Sequence, residues 1–314
     1  MPIRRNPRLT HHRRRFSERP AALRAFRPRS ELTSATIGAD SYAYAFDGIG
    51  NRLTAEELAA ETEYASNNLN QYSQIAKEGE AAFSPTYDDD GNQTLVKTST
   101  GIWSVEYNGE NRPVKFANGT TVVECKYDSQ GRRYEKKVTV DGVTTFWQRY
   151  AYRNYLQIAA FDVSLNPDAN EEVLTLAATT AWDPAEPLAT RPLAFTDHAG
   201  DAPATYFHTH DLTKNVCELL DTTGAIVAAY DYAPFGAVAL SGTSTRNPFQ
   251  FSSEVHDPET ALVYYNYRHY NPLDGRWISR EPLGEINSIN LYAFIYNISL
   301  HLYDYLGLER KKDN

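Results

Sequence analysis

Residues 46–52 read Phe-Asp-Gly-Ile-Gly-Asn-Arg and residues 127–132 read Tyr-Asp-Ser-Gln-Gly-Arg, and the way these two stretches resemble each other decides the fold. Each sets an aromatic residue before an Asp, follows it with a glycine turn, and ends on a basic side chain. The same order returns at Tyr64 with Asn67, Asn68, Asn70 and Gln71, at Tyr87-Asp88 with Gly91-Asn92, and at Tyr107-Asn108-Gly109. The leading aromatics are therefore 18, 23, 20 and 20 residues apart. A period near twenty residues fits a strand-turn-strand unit. One such unit cannot bury its own apolar face, but stacked units can share a continuous layer, with each Asp or Asn bonding the backbone of its turn.

Two further turns carry their own signal. Asn118-Gly119 and Asp141-Gly142 lie between alternating strands and suit a two-residue hairpin. The second hairpin predicts Val140 opposite Val143, Val138 opposite Thr145, and Lys137 opposite Phe146. Composition agrees with a sheet protein, since 22 tyrosines, 13 phenylalanines and many β-branched residues alternate with Gly, Asn and Asp. The chain has 314 residues, long enough to bury a core without metal or disulfide support. An all-β architecture of antiparallel strands follows.

Several function classes recede at this stage. Two cysteines, Cys125 and Cys217, leave no disulfide framework and no cysteine-built zinc site, and both sit in strand-like stretches as small buried hydrophobes. His208 and His210 flank Thr209 and would share one face of a strand, but a third metal ligand is not evident, so no metal or other cofactor is assigned. No Gly-rich phosphate loop or serine-nucleophile motif stands in a strand-turn-helix context. The tyrosines at 264, 265, 267 and 270 offer a carbohydrate platform, although core packing of alternating strand residues explains them more simply. No run reaches the length of a membrane span, and Met1 opens onto arginines rather than the apolar core of a signal peptide.

Charge is divided unevenly. The net charge is −9, yet residues 1–30 contain ten arginines and one glutamate. Residues 1–33 therefore read as a basic, disordered arm that includes Arg4, Arg5, Arg8, Arg13, Arg14 and Arg15. Such an arm can bind phosphate, but the acidic remainder offers no continuing surface, so nucleic acid is not favoured as a partner. Residues 34–165 form the repeat sheet. Residues 166–204, rich in Pro, Ala, Asp and Thr, read as an irregular connecting segment with Trp182 as an anchor, and residues 205–314 form a further domain.

The repeats and the second half together resemble the Rhs, or YD-repeat, family. The resemblance spans residues 34–308 and is densest over 206–308, where Tyr230-Asp231-Tyr232-Ala233-Pro234-Phe235-Gly236 precedes a core. That core includes Asn247-Pro248-Phe249-Gln250-Phe251-Ser252, Tyr264-Tyr265-Asn266-Tyr267-Arg268-His269-Tyr270-Asn271-Pro272 and Gly275-Arg276-Trp277. The resemblance implies that the antiparallel sheet is curved, a β-sheet spiral wound into a shell and closed at one end by the core domain. It also implies an extracellular or cell-surface setting within a bacterial polymorphic toxin system. About five readable repeats predict a partial shell, whose partners would be other repeat segments or a secretion-system protein, with a cell-surface carbohydrate as the adhesion alternative.

The family also implies self-cleavage after the leucine of an Asp-Pro-x-Gly-Leu motif. Here the matching residues are Glu281-Pro282-Leu283-Gly284 and Asp304-Tyr305-Leu306-Gly307-Leu308. Glu281 and Asp304 would share one proton, Arg280 would orient them, and the cut would fall after Leu308. This sequence departs from the motif in having Glu281 for Asp and Tyr305 for Pro. The cut would release residues 309–314, too few for a toxin. The expectation is accordingly a non-enzymatic shell scaffold, with the self-cleaving core as its alternative.

Overall fold

The computed structural model describes residues 23–169, 171–184, 191–242, 246–286, 288–300 and 302–311. The arginines at positions 4–15 lie outside them. Two antiparallel meanders make the wall. Six strands, from Leu23–Phe26 to Tyr72–Lys77, form one sheet, and fourteen, from Thr86–Tyr87 to Val238–Gly242, form the other. In both, each strand pairs with its successor in the chain, and among the described residues there is no α-helix.

The repeat turns explain the regularity. In the first, Asp47 Oδ1 accepts the backbone N–H groups of Ile49 and Asn51. Asn67, Asn108 and Asp128 do the same for the residues two and four positions on, and Asp88 does so for Asn92. The fourth residue of each turn has a left-handed backbone, and there the chain uses glycine or asparagine: Gly50, Asn70, Gly91, Asn111 and Gly131, with φ between 59° and 86°. A register shift precedes each of these turns, between Ala45 and Phe46, Ala65 and Ser66, and Lys126 and Tyr127 for example, so each turn opens from a bulge. The acid or amide, at 47, 67, 88, 108 and 128, is thus the true frame of the repeat. In the second unit Ser66 takes the place of the aromatic, and Tyr64 is a core residue two positions earlier.

Successive turns are laced together by their fifth residue. Asn51 Nδ2 donates to Asn70 Oδ1 at 2.9 Å, Asn92 Nδ2 to Asn111 Oδ1 at 2.8 Å, and Arg112 Nη1 to Gly131 O at 2.6 Å. These side chains are buried, so each bond also satisfies a polar group removed from water.

Four local expectations are corrected. Residues 23–33, read as part of a disordered arm, contain the strand Leu23–Phe26 and the start of the strand Leu32–Ile37 that pairs with it. Thr145 forms a bulge, so Val138 lies opposite Phe146 and Lys137 opposite Trp147, while Val140 and Val143 pair as expected. Asn118 is the last residue of its strand, and the turn is Gly119-Thr120. Residues 166–204, read as irregular, contain the strands Glu171–Trp182 and Pro192–Asp197, which carry the larger sheet through that region unbroken. The interruption between the two sheets falls instead at residues 78–85, spanned by the Ile75–Phe83 pair.

Residues 247–308 pack against the wall. Their four-stranded sheet, Val255–Asp257, Leu262–Tyr265, Arg268–Asn271 and Arg276–Trp277, surrounds an aromatic cluster of Phe251, Tyr265, Tyr270, Trp277 and Phe294. Wall and core meet repeatedly. Arg276 Nη2 donates to Asn51 Oδ1 and Asn70 O, Tyr292 OH to Gly91 O, and Asn271 Nδ2 to Lys97 O. Since contacts come from wall residues 50 through 215, the meander bends around the core. The strongest tie is ionic: Asp257 receives Arg133 and Lys136, the latter also reaching Glu259 at 2.6 Å. Burial alone would raise the Asp257 pKa, but the two cations hold it well below the ordinary range.

Candidate functional site

The last element among the described residues is a hairpin, Tyr303–Tyr305 with Glu309–Lys311, in which Tyr305 pairs with Glu309. Its turn is held by Leu306 and Gly307, at φ 60° and 77°. A Cβ at Gly307 would stand 3.0 Å from the carbonyl oxygen of Tyr265 and 3.3 Å from the backbone nitrogen of Arg268, so only glycine lets this turn lie against the core. Tyr267 N–H donates to Leu306 O and fixes the approach.

Within this turn Asp304 accepts the N–H of Leu308 through Oδ1 at 2.9 Å. Its other oxygen lies 3.5 Å from Arg268 Nη2, and the same nitrogen is 2.8 Å from Glu281 Oε2. The structure therefore brings Glu281 and Asp304 together on one guanidinium, and the extra methylene of Glu281 does not prevent its reach. Arg268 also donates from Nε to Gly307 O at 2.6 Å and lies 3.9 Å over the Trp277 ring. All three charged groups are nearly excluded from water.

Arg280 does not orient this pair. It is exposed, its side chain lies over Gly91, and it lines a cleft of about 570 Å³ that also includes Glu110, Arg112 and Glu281. The cation at the carboxylates is Arg268. Sequence proximity favoured Arg280, whereas the strand Arg268–Asn271 passes beneath both acids; a charged residue within the aromatic run from Tyr264 to Tyr270 was the available signal.

Burial dominates the electrostatics. It pushes Asp304 up to about 7, with Arg268 opposing, Glu281 adding repulsion, and the Leu308 and Gly307 amides pulling back. Glu254, also buried, is pushed up to about 8, chiefly by desolvation and then by the charge of Asp304. Burial lowers the Arg268 pKa against the pull of its two carboxylates. Two acids on one cation, one of them holding a proton near neutrality, can supply an acid and a base to a peptide bond, and the Leu308–Glu309 bond follows directly on the amide that Asp304 binds.

The remaining candidates take structural roles. His208 Nε2 meets Asn247 Oδ1 at 3.0 Å, burial lowers both His208 and His210, and among the described residues no three His, Cys, Asp or Glu side chains are placed to hold a metal. Tyr264, Tyr265 and Tyr270 are buried and present no sugar-binding face. Cys125 and Cys217 are buried thiols outside any disulfide, and burial raises the Cys125 pKa. No helix among the described residues is long and apolar enough to cross a membrane.

Residues 194–307 match the family described as the Teneurin YD-shell. Toxin protein Tse5 of Pseudomonas aeruginosa is 28% identical over an alignment covering 88% of this chain and 24% of that protein. The tRNA nuclease WapA of Bacillus subtilis is 28% identical over 76% of this chain and 9% of its own length. Toxin subunit YenC1 of Yersinia entomophaga is 32% identical over 28% of this chain and 10% of its own. Among solved structures, the crystal structure of TcdB2-TccC3 superposes with a TM-score of 0.62 and 17% identity, covering 91% of this chain and 17% of the other, which establishes a shared fold. The chain thus spans about a quarter or less of these relatives.

Proposed function

From its similarity to Rhs/YD-repeat β-shell proteins we propose that the chain acts as a non-enzymatic scaffold: a wall segment with its closing core, working outside the cell in a polymorphic toxin system. The observation that supports this most is the buried seam between wall and core, centred on Arg133, Lys136 and Asp257. A wall fastened to a core by desolvated charges keeps one arrangement, because the alternative leaves a charge buried without its counterion. Its partners are then further shell segments, joined along the outermost strands of the two sheets, Leu23–Phe26 and Val238–Gly242, or a component of the secretion apparatus. The wall, core and tail hairpin account for the described residues.

Limited proteolysis of the full chain tests the scaffold reading. Wall and core should resist as one body in the wild type, and Asp257→Ala should expose both. Release of a resistant core from the wild type while its wall is digested would contradict the proposal.

A second reading is favoured by the shared contact of Glu281 and Asp304 with Arg268 and by the Asp304–Leu308 bond. Here the scaffold also cuts its own chain after Leu308, through an aspartyl-protease-like pair. Intact mass separates the readings. Loss of residues 309–314 from the wild type, and from neither Asp304→Asn nor Glu281→Gln, would establish cleavage; an uncut mass in all three leaves the scaffold alone.

A further inference from the structure

The wall repeats its five-residue turn beyond the first five units. Asp211 Oδ1 accepts the N–H groups of Thr213 and Asn215, and Asp221 those of Thr223 and Ala225, while a related turn runs from Ala233 to Ala237. In the last two the left-handed fourth position is Gly224 and Gly236. In the turn of Asp211 it is Lys214, at φ 64°. Seven of these eight turns use glycine or asparagine where the geometry asks for it, the wall turn from Arg27 to Glu31 takes the small Ser30 there, and the turn of Asp211 uses a long cationic side chain at a cost of about 1 kcal/mol. Lys214 is also 1% exposed, the opposite of what an ammonium prefers.

What surrounds it supplies the reason. Lys214 O accepts from Ser253 Oγ, and the neighbouring Asn215 Oδ1 accepts from Ser252 N–H, so the wall turn is seated on the core just before Glu254. From there Lys214 Nζ reaches to 4.0 Å over the ring of Tyr303, the residue preceding Asp304. The charged groups around the tail turn are Arg268 and Glu281 from the core, Glu254 beside the seat, Asp304 itself, and Lys214 from the wall. Among the described residues Lys214 is the wall cation that meets the Tyr303 ring.

We propose that Lys214 is a positioning residue that latches the tail hairpin to the wall: by gripping Tyr303 it holds the Asp304–Leu308 turn in register with Arg268 and Glu281, so that the carboxylates are aligned only when the wall turn is docked. The role in cleavage rests on the second reading above; the latch itself does not. The ammonium-ring contact, desolvated on both sides, is the physical link.

Lys214→Gly makes the test sharp, because glycine relieves the left-handed backbone and preserves the wall turn. Full-length wild type, Lys214→Gly, Lys214→Met and Lys214→Arg are compared by hydrogen exchange over residues 303–308 and over 205–220, with intact mass followed in parallel. The latch requires exchange in 303–308 to accelerate about tenfold in the Gly and Met variants, with 205–220 unchanged in Lys214→Gly and protection kept in Lys214→Arg. Unchanged exchange of 303–308 in Lys214→Gly would overturn it. If the wild type cuts itself, the Gly and Met variants should cut more slowly and the Arg variant normally, and equal rates in all four would remove the positioning role. If the wild type stays whole, the cleavage reading fails while hydrogen exchange still decides the latch.

Discussion

The wall turn at Asp128 and the tail turn at Asp304 are the same device in two environments. Each carboxylate accepts the N–H of the residue four positions on, Arg132 in one case and Leu308 in the other. At Asp128 burial is partial and is the largest single influence, but the hydrogen bonds from Arg132 and Gln130 together outweigh it and lower the pKa. Asp47 behaves alike, its burial outweighed by Asn51 and the turn amides. At Asp304 the same kind of hydrogen bond is overruled by burial and by Glu281, and the group rises to about 7. Local geometry is therefore shared, and burial decides whether the acid is a fixed structural anion or a proton carrier.

The largest effect should come from the seam that creates the buried environment. Asp257→Ala leaves Arg133 buried without its counterion and Lys136 with Glu259 alone, and should cost roughly 3–5 kcal/mol in denaturant unfolding. A loss below about 1 kcal/mol would mean that the seam is hydrated and the comparison overstated.

The pH dependence separates the two turns by sign. Asp304 has a raised folded pKa, so its ionisation opposes folding: stability falls as pH rises from the unfolded value of 3.8 toward about 7, then levels. Asp304→Asn should remove that slope, worth roughly 2–4 kcal/mol. Asp128 has a lowered folded pKa, so its contribution is full above 3.8 and is lost as pH falls through the folded value. Asp128→Asn should weaken the chain above that range and leave its acid limit unchanged. Unfolding midpoints across the pH range read both.

Gly307→Ala should cost about 1–2 kcal/mol, from its φ of 77° and the close Tyr265 carbonyl, and should loosen only the tail. Gly224→Ala, with equal backbone strain and open space around it, should cost about 1 kcal/mol, isolating the steric part. Hydrogen exchange of the two turns checks their locality.

The wall was legible in the sequence because its turns depend on local chemistry: an Asp or Asn side chain and a residue tolerant of left-handed backbone, both visible as letters. Counting from the aromatics misframed the second unit, since Ser66 occupies that place and the period belongs to Asn67. The strand Glu171–Trp182 escaped notice because its residues Glu171 to Leu176 are exposed and mix charged with apolar side chains, leaving no alternation to read. At the site, Glu281 and Asp304 were found through motif resemblance, while Arg268 and Lys214 were not. Both act across long sequence separations, set by how the core seats in the wall, and no spacing along the chain encodes that.

The most direct measurement is a carboxyl carbon NMR titration of the full-length chain, with Asp304→Asn and Asp128→Asn identifying the two resonances. The account requires Asp304 to titrate near 7 and Asp128 below 3.8 in the same molecule. An Asp304 resonance titrating at the ordinary carboxylate value would show that water reaches the tail turn. It would contradict the claim that the bent wall turns a structural acid into one that keeps its proton.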